Sequence, residues 1–220
     1  MSRRLLAAVA VGALLMTGLA GCRADRNVAA YVGDTEITEA RVDEVMTSIR
    51  DVAPAEAYGE IRGRVVEMLV LTAAGTGYAE TAGVQIPEPA PEEFADQLGL
   101  PVENAYVQVL SGFLAVLNTV NGRAQSTAPS EADQREVYRN LLFNGEPLQD
   151  PFEEVQRFFT EEAIGTAVGT RDLLTEVIAD GDVTVNPKYR LVHQVQVTIG
   201  QAQSWLGVPL GEPSPVIDEN

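Results

Sequence analysis

Tyr31-Val32-Gly33-Asp34-Thr35-Glu36-Ile37-Thr38 leads from an apolar run through a turn into a helix start. Ala29 to Val32 is a short apolar run that reads as a brief strand, and Gly33-Asp34 supplies turn chemistry. Thr38 has the hydroxyl of a helix N-cap, and Ile37 is placed to staple against Val42. Behind the cap, Val42, Val45, Met46 and Ile49 recur at i, i+3, i+4 and i+7, one buried face of an amphipathic helix. The unit is a strand, a turn and a capped helix.

Upstream, Arg3 and Arg4 precede an apolar stretch from Leu5 to Leu19, which ends in Leu19-Ala20-Gly21-Cys22. A membrane span needs roughly 20 apolar residues, so a run this short fits the core of a signal peptide better. Cys22 is the only cysteine of the chain. The arrangement resembles a bacterial lipoprotein signal with its lipobox. That resemblance implies removal of residues 1–21, a diacylglycerol on the Cys22 sulfur, and attachment to the extracytoplasmic face of the cell membrane. A plain secretory signal with an incidental cysteine is the alternative. Residues 22–28 then form a polar tether.

Downstream, Pro54 interrupts and a second helix follows, with Ile61, Val65, Met68, Leu69 and Thr72 inward and Gly83 as a left-handed C-cap. Ile86 to Pro91 reads as a linker before a short turn around Glu92 to Gln97. Pro101 suits the first turn of the strongest helix, whose stripe is Val102, Tyr106, Val109, Leu110, Phe113, Leu114, Leu117 and Val120. Asn121-Gly122 stops it, and a polar loop runs to Pro129. Ser130 with Asp133 has the form of a capping box, opening a helix expected to reach Asn144-Gly145. Asp150-Pro151 starts a segment with Val155, Phe158 and Phe159 inward. Gly165 and Gly169 are expected to break it before Leu173, Leu174, Val177 and Ile178 resume helical spacing. Val183-Thr184-Val185 alternates like a strand, as do Leu191, His193, Val195, Val197 and Ile199 against Gln194, Gln196 and Thr198. Residues 201–220, with Pro209, Pro213 and Pro215, read as an acidic tail.

The order of these pieces is similar to the SurA-type and PrsA-type periplasmic chaperone modules. Tyr31 to Thr38 and its helix look like their opening, a strand reading V-x-G-x-x-I-T. The second helix ending in Ala82-Gly83-Val84-Gln85-Ile86 is similar to their long second helix, and Pro129-Ser130-Glu131-Ala132-Asp133 with Tyr138 to the start of a further one. The late helix to Ile178 followed by Val183 to Val185 resembles the segment that returns to pair with the N-terminal strand. The resemblance implies a mainly α chaperone fold over residues 29–200, with a small β element joining the two ends and a possible sub-lobe at 98–122. It also implies a client of unfolded or secreted polypeptide. Relatives of this type often insert a parvulin prolyl isomerase domain of about a hundred residues. The loop from Gly122 to Pro129 has no room for one, so isomerase activity is not carried over.

Composition limits the remaining functions. The chain has 15 basic and 32 acidic residues, a net charge of −17, and removing residues 1–21 with their two arginines would take it to −19. Such a surface argues against nucleic acid, whose phosphates demand Lys and Arg. It also repels an anionic bilayer, which leaves membrane affinity to the lipid at Cys22. His193 is the only histidine and shares the apolar face of a strand, so a hydrogen-bonded, half-buried imidazole is favoured over a catalytic base. No Gly-x-Ser-x-Gly is present, and Gly75-Thr76-Gly77 lacks the dinucleotide pattern and reads as close packing or a kink. Glu92-Glu93, Glu153-Glu154 and Glu161-Glu162 lie at helix starts or outward faces without EF-hand spacing. The chain is therefore expected not to be an enzyme and to use no cofactor, metal or nucleotide. Its client-binding candidates are Tyr106, Phe113 and Leu117, in a cleft facing Phe158 and Phe159, or else all three are ordinary core. A general chaperone and an envelope assembly lipoprotein with one dedicated partner are both compatible with these features.

Overall fold

The computed structural model describes residues 27–211. The chain opens with β1 (Val28–Val32), β2 (Thr35–Thr38), α1 (Glu39–Ser48), a 3-10 turn at Ala55–Ala57 and α2 (Tyr58–Ala82). Then come α3 (Pro91–Leu98), α4 (Ala105–Asn121), α5 (Glu131–Arg139), β3 (Leu142–Phe143) and β4 (Glu146–Pro147). The last third holds α6 (Phe152–Val155), a 3-10 turn at Gln156–Phe158, α7 (Glu161–Asp180), β5 (Val183–Val185), β6 (Val192–Ile199) and β7 (Ala202–Pro209). No helix among the described residues is long and apolar enough to cross a membrane.

The opening stretch folds as its residues dictate. Gly33 turns the chain in the left-handed region at φ +55°, and β2 runs back along β1. Thr38 Oγ1 accepts from Arg41 N at 3.2 Å, and Val42, Val45, Met46 and Ile49 are all buried. On its other side β1 pairs antiparallel with β5, Tyr31 opposite Thr184 and Val32 opposite Val183. A three-stranded sheet of order β2-β1-β5 thus ties the start of the described chain to the end of α7.

The expectation of a mainly α fold is overturned. Of the described residues 54% are helical and 17% lie in strands, in two antiparallel sheets of three and four strands. The second sheet, of order β4-β3-β7-β6, is the part the sequence reading lacked. An acidic tail from residue 201 is wrong for Ala202–Pro209, which form β7 and pair with the whole of β6. Pro209 misled because proline suits a strand only where its missing N–H faces away from the ladder, as at this strand's end. Residues 142–147 are a hairpin, not helix, because Asn144 at φ +53° and Gly145 at φ +83° adopt the turn that favours Asn-Gly.

α2 is the central helix. Val65, Val66, Met68, Val70 and Leu71 leave its middle buried on nearly every side, where the sequence is apolar apart from Glu67. Gly75 allows α4 to lie close, since a Cβ there would overlap the Cγ1 of Val116. The proposed sub-lobe at 98–122 is not separate: Val109, Phe113, Val116 and Val120 join the same core as α1, α2 and α7. Its helix begins at Ala105, not Pro101, because the Asn104 side chain caps it by accepting from Tyr106 N at 2.9 Å. Gly165 and Gly169 do not break α7. They make room for the loop before α5, whose Thr127 N donates to Gly165 O at 3.1 Å. The Ser130–Asp133 capping box is present, and Arg171 of α7 reaches Asp133 to join α7 to α5.

Candidate functional site

A groove of about 420 Å³ lies between α4, α7 and β6. One wall is the face of α7 made by Ala163, Thr166, Ala167 and Thr170, at i, i+3, i+4 and i+7, all small. Leu117 and Asn121, from the last turns of α4, close one side. The opposite wall is β6 from His193 to Thr198 without a gap. His193, Val195 and Val197 point inward and Gln194, Gln196 and Thr198 outward, so a wall made of both sets is the strand's margin, not one of its faces.

That margin is unpaired. β6 has β7 on one side and no strand on the other among the described residues. Alternate residues of an antiparallel pair turn their main-chain groups toward and away from each other. On β7, Gly207 N donates to Glu136 Oε1 at 2.8 Å and Trp205 O accepts from Asn140 Nδ2 at 3.0 Å, both away from β6. Their partners Gln194 and Gln196, and Thr198 opposite Gln203, therefore direct their own N–H and C=O outward. The tight turn at Gly200 (φ +61°) and Gln201 closes on the pair Ile199–Ala202, which gives the same alternation.

The polar side chains that line the groove are amides, hydroxyls and one imidazole. Among its lining residues none is Lys, Arg, Asp or Glu. His193 is 7% exposed, and its Nδ1 lies 2.7 Å from Glu67 Oε1, a carboxylate that also accepts from Arg64 Nη1 at 2.9 Å. The Nδ1–H donates to Glu67, which fixes the ring against the edge of Phe113, 6.5 Å between centroids. Asn121 Oδ1 is buried and has no hydrogen-bond partner among the described residues. A second concavity, of about 750 Å³, lies between α2, the end of α7 and the β1–β2 turn, and no buried unpartnered polar atom belongs to its lining. Among the described residues no three His, Cys, Asp or Glu side chains gather so as to hold a metal ion.

The charged clusters with displaced pKa values are structural and lie elsewhere. Burial pushes the Glu39 carboxyl up, but hydrogen bonds from Lys188, Arg62 and Tyr189 outweigh it and hold Glu39 below the usual carboxylate range. Burial likewise opposes ionisation of Asp133, and its bonds from Arg171 and Ser130 bring it below the usual range. Each cluster joins elements distant in sequence.

Of the client-binding candidates only Leu117 lines the groove. Tyr106 is half-buried, Phe113 is core at 6% exposure, and Phe159 is core at 1%, stacked on Phe152. Phe158 is exposed, with the Arg157 guanidinium over its ring. The expected cleft uniting Tyr106, Phe113 and Leu117 with Phe158 and Phe159 does not form: the hollow lined by Phe159 contains no residue of α4. Cys22 lies outside the described residues, as do the leader and residues 212–220. Sequence reasoning missed Glu67, Asn121 and the small face of α7. Glu67 had a signal, a lone acid inside the apolar run Val65 to Leu71.

Fold and site together define a mixed α/β protein whose longest edge strand borders an uncharged groove. No family model, curated protein or solved structure matches the chain.

Proposed function

We propose that this protein is an extracytoplasmic, lipid-anchored, chaperone-like protein that binds unfolded or secreted polypeptides, without prolyl isomerase or other enzymatic activity. The observation that carries the reading is the open edge of β6 beside an uncharged groove, a surface suited to main-chain recognition of an extended chain. The SurA-type resemblance of the opening stretch supports it, together with the antiparallel return of β5 to β1. The leader ending in Cys22 supports the lipid anchor and the extracytoplasmic site, and the net charge of −17 favours soluble complexes and basic clients.

A second reading, an envelope assembly lipoprotein with one dedicated partner, is favoured by how little apolar surface is on offer. Among the described residues, the exposed large apolar side chains Val52, Leu98, Phe143, Phe158 and Val192 come from five separate places along the chain. Aggregation of heat-denatured citrate synthase, followed by light scattering, separates the two. A general chaperone suppresses it at near-stoichiometric ratio, whereas a dedicated partner protein leaves it unchanged. Metabolic labelling with a fatty-acid analogue tests the anchor, with label expected on the unsubstituted chain and lost in Cys22→Ala.

A further inference from the structure

We infer that the free edge of β6 is the binding site itself, and that an extended polypeptide segment docks there as an added β-strand paired with Gln194, Gln196 and Thr198. The inference rests on the polypeptide-binding reading above and gives it a location and a mode.

Edge strands are ordinarily protected against such pairing by Lys, Pro, bulges or shortness. β6 has none of these. It is eight residues long, contains no charged residue and no proline, and keeps an unbroken register with β7. β2, at the edge of the other sheet, has four residues and carries Glu36. From Gln194 to Thr198 the outward N–H and C=O groups span about 14 Å at about 3.4 Å per residue, enough for a segment of about five residues. The small face of α7 leaves width for that segment, and Leu117 and Ala167 meet its side chains.

Asn121 supplies an independent sign of a ligand. A buried acceptor without a partner costs free energy comparable to a lost hydrogen bond, and Asn121 Oδ1 is such an acceptor at the wall of this groove. A turn of the Asn121 side chain toward the groove would bring that acceptor to an N–H or side-chain donor of the incoming segment. Charge decides the kind of segment. The groove has no cationic side chain, and the molecule around it carries −17, so the occupant is neutral across the pairing residues and basic at its flanks.

The test uses two probes and two variants of the protein. The probes are a fluorescein-labelled peptide Lys-Lys-Thr-Val-Thr-Val-Thr-Lys-Lys and the same peptide N-methylated at alternate residues, which removes pairing donors but keeps the side chains. Gln196→Pro removes an outward N–H without touching the β6–β7 ladder, and Thr166→Trp fills the groove from an exposed position on α7. Fluorescence anisotropy is expected to show binding of the plain peptide, loss with the N-methylated one, and a loss of about tenfold or more in either variant that melts like the unsubstituted protein. If Gln196→Pro fails to fold, Thr166→Trp and the N-methylated peptide decide. Undiminished binding by the folded variants and of the N-methylated peptide overturns the β6 site and leaves polypeptide binding standing. Failure of the unsubstituted protein to bind either this peptide or reduced, carboxymethylated lactalbumin overturns the polypeptide-binding reading as well.

Discussion

Phe113 and His193 meet edge to face beneath the groove, and their setting separates core from binding surface. Phe113 is 6% exposed, so Phe113→Ala is expected to cost about 3–5 kcal/mol in urea unfolding, the usual effect of emptying a buried aromatic site. A cost near zero would mean that the ring is not core. Glu67 explains how a polar imidazole is tolerated on an inward face: its carboxylate accepts from Nδ1 of His193 and from Arg64. Glu67→Ala leaves the ring without its acceptor and is expected to cost about 1–3 kcal/mol, with Glu67→Gln costing less because the amide oxygen still accepts. Equal losses for the two substitutions would show that the carboxylate's charge, and not an accepting oxygen, carries the contact. The hydrogen-bonded character of His193 could be read from its place in an alternating strand. Its partner could not, because the pair is 126 residues apart in sequence.

Two glycines in two helices show what element packing adds to propensity. Gly77 of α2 has nothing within 4 Å of an added Cβ, so Gly77→Ala is expected to raise stability by about 0.5–1 kcal/mol through helix propensity. At Gly169 of α7 the added Cβ would overlap the main-chain oxygen of Gln125, and Gly169→Ala is expected to cost about 1–3 kcal/mol or more. Paired thermal melts check both signs, and a stabilising Gly169→Ala would mean that the loop at Gln125 does not lie against α7. The same contrast explains what the sequence disclosed. Periodicity and capping chemistry are local, so α1, the capping box at Ser130 and the Gly83 cap are legible in the sequence, whereas the β1–β5 pairing, between distant segments, was expected only from the resemblance to the chaperone modules. The glycines of α7 looked like breaks because the loop that needs them comes from elsewhere in the chain. β7 is hard to tell from a tail by sequence because Ala202, Ser204, Leu206 and Val208 alternate only weakly with Gln203, Trp205 and Gly207, and Pro209, Pro213 and Pro215 follow. The groove stayed hidden for a related reason. It depends on which side of β6 goes unpaired, a property of topology and not of any motif.

At the scale of the whole molecule, two carboxylate clusters hold distant parts together and set its response to acid. Glu39 binds Arg62 of α2 and Lys188 and Tyr189 beyond β5, while Asp133 joins α5 to Arg171 of α7. Both carboxyls titrate below their ordinary values of 4.5 and 3.8 in the folded protein. A depressed carboxylate contributes stability that is present above its unfolded value and is lost as pH falls through the folded one. Urea midpoints are therefore expected to hold steady from pH 7 to about 5 and then to fall as the pH drops below about 4.5, with a shallower fall in Arg171→Ala. A midpoint independent of pH down to 3 would show that neither cluster contributes.

The open edge of β6 is where the fold meets the proposed function, and amide hydrogen exchange reads it directly. With the peptide Lys-Lys-Thr-Val-Thr-Val-Thr-Lys-Lys bound, the N–H groups of Gln194, Gln196 and Thr198 are expected to slow markedly, while Val195 and Val197, already paired to β7, change little. Saturating binding with unchanged exchange at Gln194, Gln196 and Thr198 would contradict strand addition at β6.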